Sequence, residues 1–276
     1  MTYHPTLAAA APTVRRMPTA FGPAYGPRCI PAGVEPPTGP ERVSSIDIVA
    51  AADERKLRAL LPDGVELAEA TLRVQAGWFE NLRWLAGRGY NTLAALVPAV
   101  VPTEDGPVRA DFLCVMWENL ADPIITGRDE LGFPKLFADI VRPDVAAPGS
   151  EPLSVRASWQ ETEFFSLTVD GLREAPAPGV RHPVVTHRYL PSAGHAEPPE
   201  VDHLTISNPG SADSVRILTS LAGEATVSFT EVTWQQVPFQ FPVVNGLAAL
   251  GINGTHPAQV TCVEGHFTAA SNRRLG

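Results

Sequence analysis

From residue 65 onward the chain is dominated by a two-residue period. Leu72, Val74, Ala76 and Trp78 alternate with Thr71, Arg73, Gln75 and Gly77. Such alternation puts apolar side chains on one strand face and polar ones on the other. The same reading predicts strands over 44–50, 93–101, 108–117, 136–141, 153–160, 164–169, 184–190, 202–207, 225–235 and 259–267. Turn clusters separate them, among them 104–107 (Glu-Asp-Gly-Pro), 147–150 (Ala-Pro-Gly-Ser) and 170–171 (Asp-Gly). Helical signals are few. Asp53 is placed to cap a helix over 54–61, with Leu57, Leu60 and Leu61 on one face and Pro62-Asp-Gly64 as its stop. Two further helices are expected over 78–87 and 245–251. Many short strands broken by Gly and Pro predict a mainly β fold with a few helices, an antiparallel sandwich or barrel. Alternating strands suit an antiparallel β-barrel whose polar face lines an interior cavity.

The first 40 residues differ from the rest. They are rich in Ala, Pro and Gly, and stretches such as 21–27 and 36–40 exclude helix and central strand. Residues 1–18 are expected to form a flexible arm, either a disordered tail or a strap over the domain. Residues 19–276 show no repeat and no change of composition, and read as one domain.

Composition narrows the function. The chain has 276 residues, a net charge of -9 and 18% charged residues, which argues against a nucleic-acid or membrane-surface binder. No apolar run approaches the ~18 residues of a membrane helix. A basic-then-apolar leader pattern is missing from the N-terminus, so the expected compartment is the cytoplasm. Cys29, Cys114 and Cys262 lie far apart and form no CxxC pair, which disfavours a disulfide framework and a thiolate zinc site. The seven His show no metal spacing, so no metal is expected. GxGxxG, Walker, HExxH and GxSxG motifs are absent. Cys114 sits in an apolar strand and reads as a core thiol.

One count changes the picture. The chain has 19 Arg but two Lys, Lys56 and Lys135. Lys56 falls on the polar face of the first helix and reads as a solvated residue. Lys135 stands between Phe133-Pro134 and Leu136-Phe137. Desolvation there would disfavour its ammonium and lower its pKa from ~10.4. A neutral amine condenses with a ketone to give an imine. The structural alternative is that the side chain runs past its apolar neighbours to water.

The segment Gly127-Arg128-Asp129-Glu130-Leu131-Gly132-Phe133-Pro134-Lys135 resembles the signature of the acetoacetate decarboxylase superfamily. There an aromatic residue and a Pro precede the Schiff-base Lys. Weaker similarities lie at 21–28, 53–62 and 188–194, so the resemblance extends over roughly residues 20–270. It implies an antiparallel β-barrel or cone, a Lys135 imine, no metal or organic cofactor, and homo-oligomerisation. The expected partner is a small keto acid, with an aldehyde as co-substrate if the chemistry is aldol.

Departures matter as much. The family's second Lys is replaced by Leu136, and its two active-site Glu align with Gln75 and Thr92. Its substrate-binding Arg aligns with Val43, or with Arg42 after a one-residue slip. The expected catalytic set is therefore Lys135 with Tyr90 and Glu118 as titratable candidates. Gln75, Thr92, Arg128, Glu130 and Arg42 are candidates for substrate binding. Each has a structural alternative: Tyr90 as a core aromatic, Glu118 and Glu130 as ordinary loop charges, Arg128 as an ion-pair partner. Three functions stay open on the sequence. They are an imine-forming lyase (β-keto acid decarboxylation, or aldol and dehydration on an α-keto acid), a cyclase or hydratase without an imine, and a non-catalytic binder.

Overall fold

The computed structural model describes residues 13–14, 16–21, 24–25, 30–31, 33–142, 152–179, 181–194, 197–208, 215–265 and 272–275. Of the expected arm, residues 1–12 and 15 lie outside the described residues. Beyond them, β1 (Thr13–Val14) pairs with β2 (Ala24–Tyr25).

The body of the molecule is one sheet. Its strands are β3 (Glu41–Ala51), β4 (Glu66–Leu67), β5 (Thr71–Leu82), β6 (Arg88–Val101), β7 (Val108–Glu118), β8 (Lys135–Phe137) and β9 (Asp139–Val141). They continue with β10 (Leu153–Trp159), β11 (Thr162–Glu174), β12 (Val184–Leu190), β13 (Val201–Ser207), β14 (Val215–Phe229), β15 (Gly254–Gly265) and β16 (Asn272–Arg274). The order is β16-β13-β12-β7-β6-β5-β3-β15-β14-β11-β10-β9, with β4 beside β6 and β8 beside β7.

The mainly β class agrees with the alternation, but the sheet is mixed and does not close into a barrel. One edge of β7 pairs with β6, and the other is shared by β12 and β8, both parallel to it. The path then ends at two three-residue strands, β9 and β16. Such short strands leave little free edge for stray pairing.

Alternation decides which face is core. Ile46 and Ile48 on β3, Leu72, Val74, Ala76 and Trp78 on β5, Leu93 and Ala95 on β6, and Trp117 on β7 form one buried cluster with Phe164, Phe165 and Phe229. The opposite face of the same strands carries Asp47, Arg73, Gln75, Thr92 and Glu118.

Five expected elements change. The single strand expected over 136–141 is two, β8 beside β7 and β9 beside β10. The helix over 78–87 is absent: β5 runs on to Leu82 and a short 3-10 turn follows at Arg83–Leu85. Positive φ at Asn81 and Ala86 interrupts any helical run there. Helix α1 (Glu54–Arg58) is shorter than expected, capped by Asp53, whose Oδ1 accepts from the Lys56 N–H. The strand expected over 225–235 stops at Phe229. Beyond it the Asn245 side chain takes the Val232 N–H at 2.8 Å in place of a neighbouring strand. Helix α3 (Phe241–Ala248) begins four residues before the expected start, with a Pro in its first turn, where a missing N–H costs nothing.

Candidate active site

The polar sheet face is laid out in rows. Register places Asp47, Gln75, Ala94, Met116 and Lys135 in one row across β3, β5, β6, β7 and β8. The next row holds Ser45, Gly77, Thr92, Glu118 and Phe137. Phe79 and Tyr90 follow, stacked at 4.7 Å. Gln75, Thr92, Tyr90, Glu118 and Lys135 therefore share a face, as the period of two requires.

Two short elements deliver Lys135 to this face. Helix α2 (Ala121–Thr126) runs into a five-residue π-helical turn, Gly127–Leu131. Gly132 then adopts φ +72 and reverses the chain. Its lack of a side chain also admits Arg188, whose Cδ would lie 2.9 Å from a Cβ there. Phe133 N–H bonds back to the Gly127 carbonyl at 3.0 Å, and β8 starts at Lys135. The Lys135 side chain passes directly under Gly127. A Cβ on Gly127 would stand 2.4 to 2.5 Å from Cε, Cδ and Nζ of Lys135, so a side chain there would have to displace the lysine.

Lys135 is 3% exposed. Its Nζ lies 2.7 Å from Glu118 Oε1 and donates to the Pro123 carbonyl at 3.0 Å. That carbonyl also accepts the Gly127 N–H within the helical stretch. The Phe133 ring lies 5.7 Å away. A small apolar cluster of Ala94, Leu96 and Leu113, with Met116, Phe133 and Val184 packed on it, adjoins the pair on the same face. Burial disfavours the ammonium while Glu118 favours it. The side chain does not run out to water, and Glu118 is no loop charge: it is fully buried at the end of β7.

The other candidates fall in different places. Gln75 donates to Asp47 Oδ1 at 2.7 Å. Thr92 is buried and donates to the Gly77 carbonyl at 3.3 Å. Each position expected to stand in place of a family Glu has an acid in register on the next strand, Asp47 beside Gln75 and Glu118 beside Thr92. Tyr90 is buried two residues from Thr92 on the same face. Arg128 donates from Nη1 to the Lys135 carbonyl at 2.9 Å, which pins the main chain at the lysine. Glu130 pairs with Arg16 at 2.9 Å. Its carboxyl is raised above its ordinary value, first by burial and then by Asp129, with Arg16 acting against both. Arg42 is not brought to the site. It shares the opposite face with Ser44 and Ile46 and faces Glu264 at 3.5 Å, whereas Val43 lies on the lysine face. Burial pushes the Cys114 thiol up to about 12, so it stays protonated. Among the described residues no group of three His, Cys, Asp or Glu is placed to hold a metal ion. No helix among them is long and apolar enough to cross a membrane.

Sequence reasoning did not reach Gly127, the Pro123 carbonyl or Asp47. Gly127 had a usable signal, since it opens the motif that carries the lysine.

The structure is that of a mainly β protein with a buried lysine and carboxylate on one face of an open mixed sheet. The family model described as acetoacetate decarboxylase (ADC) matches residues 16–260, and the chain belongs to that family. Comparison with curated protein sequences finds no match. Solved structures share the fold. Acetoacetate decarboxylase from Legionella pneumophila is 19% identical with TM-score 0.63, covering 86% of this chain and 90% of its own. The enduracididine biosynthesis enzyme MppR complexed with pyruvate is 17% identical with TM-score 0.63, covering 89% and 93%. An acetoacetate decarboxylase-like enzyme from Sphingomonas wittichii RW1 is 20% identical with TM-score 0.63, covering 86% and 92%.

Proposed function

We propose that this protein is a lyase that binds a small keto acid as an imine on Lys135, with Glu118 as its proton carrier. The observation that carries this reading is the contact of 2.7 Å between two buried groups, Lys135 Nζ and Glu118 Oε1.

The pair can exchange one proton and leave both members neutral, which a low-dielectric site tolerates. Glu118 takes a proton from the Lys135 ammonium. The free amine adds to the keto carbon. Glu118 returns that proton to the carbinolamine oxygen and relays a second to it from the nitrogen, water leaves, and a protonated imine remains beside the carboxylate. That imine is an electron sink. For an α-keto acid of the pyruvate class, Glu118 removes a proton from the carbon next to the imine and an enamine forms. The enamine adds to an aldehyde carbonyl, whose oxygen takes a proton. Loss of water and hydrolysis of the imine release product and Lys135. For a β-keto acid the bond to the carboxylate breaks instead, its electrons enter the imine, and carbon dioxide leaves.

The α-keto acid route is the first reading because it needs a base at the imine, and Glu118 stands there. A related structure supports it, that of MppR in complex with the condensation product of pyruvate and imidazole 4-carboxaldehyde. Activity assays separate the two routes. Consumption of pyruvate and an aldehyde without carbon dioxide release supports the first. Rapid carbon dioxide release from acetoacetate assigns the protein to decarboxylation.

A further inference from the structure

The polar face holds a second feature at the other end of β7. A cleft of about 280 Å³ lies over β3, β5, β6 and β7, roofed by the connection from β11 to β12. That roof is tied down at both ends. The Pro176 carbonyl accepts from Ser220 Oγ at 2.8 Å and from Gln259 Nε2 at 2.9 Å. The Pro183 carbonyl accepts from the Asp111 N–H at 2.8 Å.

Charge in the cleft is sorted by depth. At the floor one guanidinium serves two carboxylates. Arg73 donates from Nε to Asp47 Oδ1 at 2.9 Å and from Nη1 to Asp111 Oδ2 at 3.0 Å. Two negative groups against one positive group leave one negative charge in excess. Asp47 is satisfied, since Ser45 and Gln75 also donate to it. Asp111 has one bonded oxygen: Oδ2 accepts from Arg73, while Oδ1 takes no hydrogen bond from the described residues, and the residue is 5% exposed and lines the cleft. At the rim Glu69 and Arg109 pair with each other. Arg181, in the roof, is exposed and has no ion pair among the described residues. A carboxylate oxygen with a free lone pair at a cleft can accept from a ligand's donor, and an arginine without an ion pair at a mouth suits a carboxylate.

We infer that this cleft binds a small zwitterionic amino acid, its ammonium donating to Asp111 Oδ1 and its carboxylate meeting Arg181. A simple cation would be repelled by Arg181, and a simple anion by the floor. The cleft is centred at the other end of β7 from Lys135 and adjoins the lysine row through Asp47, which Gln75 reaches. Asp111 and Glu118 are seven residues apart on β7, roughly 20 Å at the rise of a strand, and Leu96 and Leu113 lie between them on this face.

The test is titration calorimetry on the full chain with ω-amino acids from glycine to 6-aminohexanoate, and with butyrate and butylammonium as single-charge controls. At least one amino acid should bind saturably, at least about tenfold more tightly than either control. Asp111→Asn keeps a partner for Arg73 and should weaken binding about tenfold. Arg181→Gln changes an exposed residue, folds normally, and should weaken it several-fold. Lys135→Arg should leave it unchanged. Absence of saturable binding overturns the inference. So does binding that survives Arg181→Gln or a folded Asp111→Asn, binding shared equally by butyrate or butylammonium, or binding lost in Lys135→Arg.

Discussion

The two ends of β7 hold two ionic clusters on one sheet face, one buried and one half-buried, and they differ in what their cation can do. At the C-terminal end Lys135 meets Glu118 under Gly127. At the N-terminal end Arg73 meets Asp47 and Asp111. Burial by itself would lower the Arg73 pKa, but the two carboxylates more than offset it and raise it. A guanidinium in that setting never gives up its proton, so Arg73 acts as a fixed tie between β3, β5 and β7. In the proposed mechanism the lysine gives up its proton to Glu118. On that proposal, the difference between a structural and a reactive pair is set by which cation stands there, in a chain where 19 of 21 cationic residues are Arg.

Making the lysine pair resemble the arginine pair should do the most damage. Lys135→Arg should keep the fold and the contact with Glu118 while turnover falls by roughly 10⁴-fold or more, because no imine can form. Steady-state rates with pyruvate and an aldehyde, beside a circular dichroism spectrum, check this. Glu118→Gln should keep the side-chain shape and lower turnover by roughly 10² to 10⁴-fold through loss of the proton carrier. A drop in substrate affinity with unchanged turnover would instead make Glu118 a binding group.

Arg73→Met tests the other end. It leaves Asp47 and Asp111 unpaired and should cost about 3 kcal/mol of stability, read from urea unfolding, while the variant that remains folded keeps its turnover. Gly127→Ala should cost about 1 to 3 kcal/mol by overpacking against the lysine and should lower turnover as well, because the added methyl displaces Nζ from Glu118. Stability loss with normal turnover would show that Lys135 has room to move.

The smallest effect is expected at Glu130. Its folded pKa lies above the unfolded value, so the native state holds its proton longer than the unfolded chain. Stability from this group is present below the ordinary carboxylate range and is lost as pH rises through the folded pKa. Glu130→Gln should therefore flatten the fall of Tm with pH in that window, measured by thermal melts above pH 4.5.

Strand period made the faces legible. Gln75 and Arg73 fall opposite Leu72, Val74 and Ala76, as alternation requires, and Glu118 was within reach as a titratable residue near the motif. The pairing of Lys135 with Glu118 was not legible, because it depends on β8 lying parallel beside β7. No local pattern announces a three-residue parallel strand. The end of β14 departs from the expected strand for a related reason: apolar residues 232 and 237 pack in the core, while Asn245 holds the chain out of the ladder. The Arg73 tie joins positions 26 and 38 residues apart in sequence and follows only from the order β3-β5-β6-β7.

The proposed chemistry turns on an imine at Lys135. Borohydride reduction of the intact protein in the presence of pyruvate, followed by peptide mass mapping, detects it directly. The expected result is one reduced pyruvyl adduct on Lys135, with Lys56 unmodified and the adduct lost in Lys135→Arg. If Lys135 stays unmodified with both pyruvate and acetoacetate while the folded protein turns over substrate, the imine mechanism is wrong.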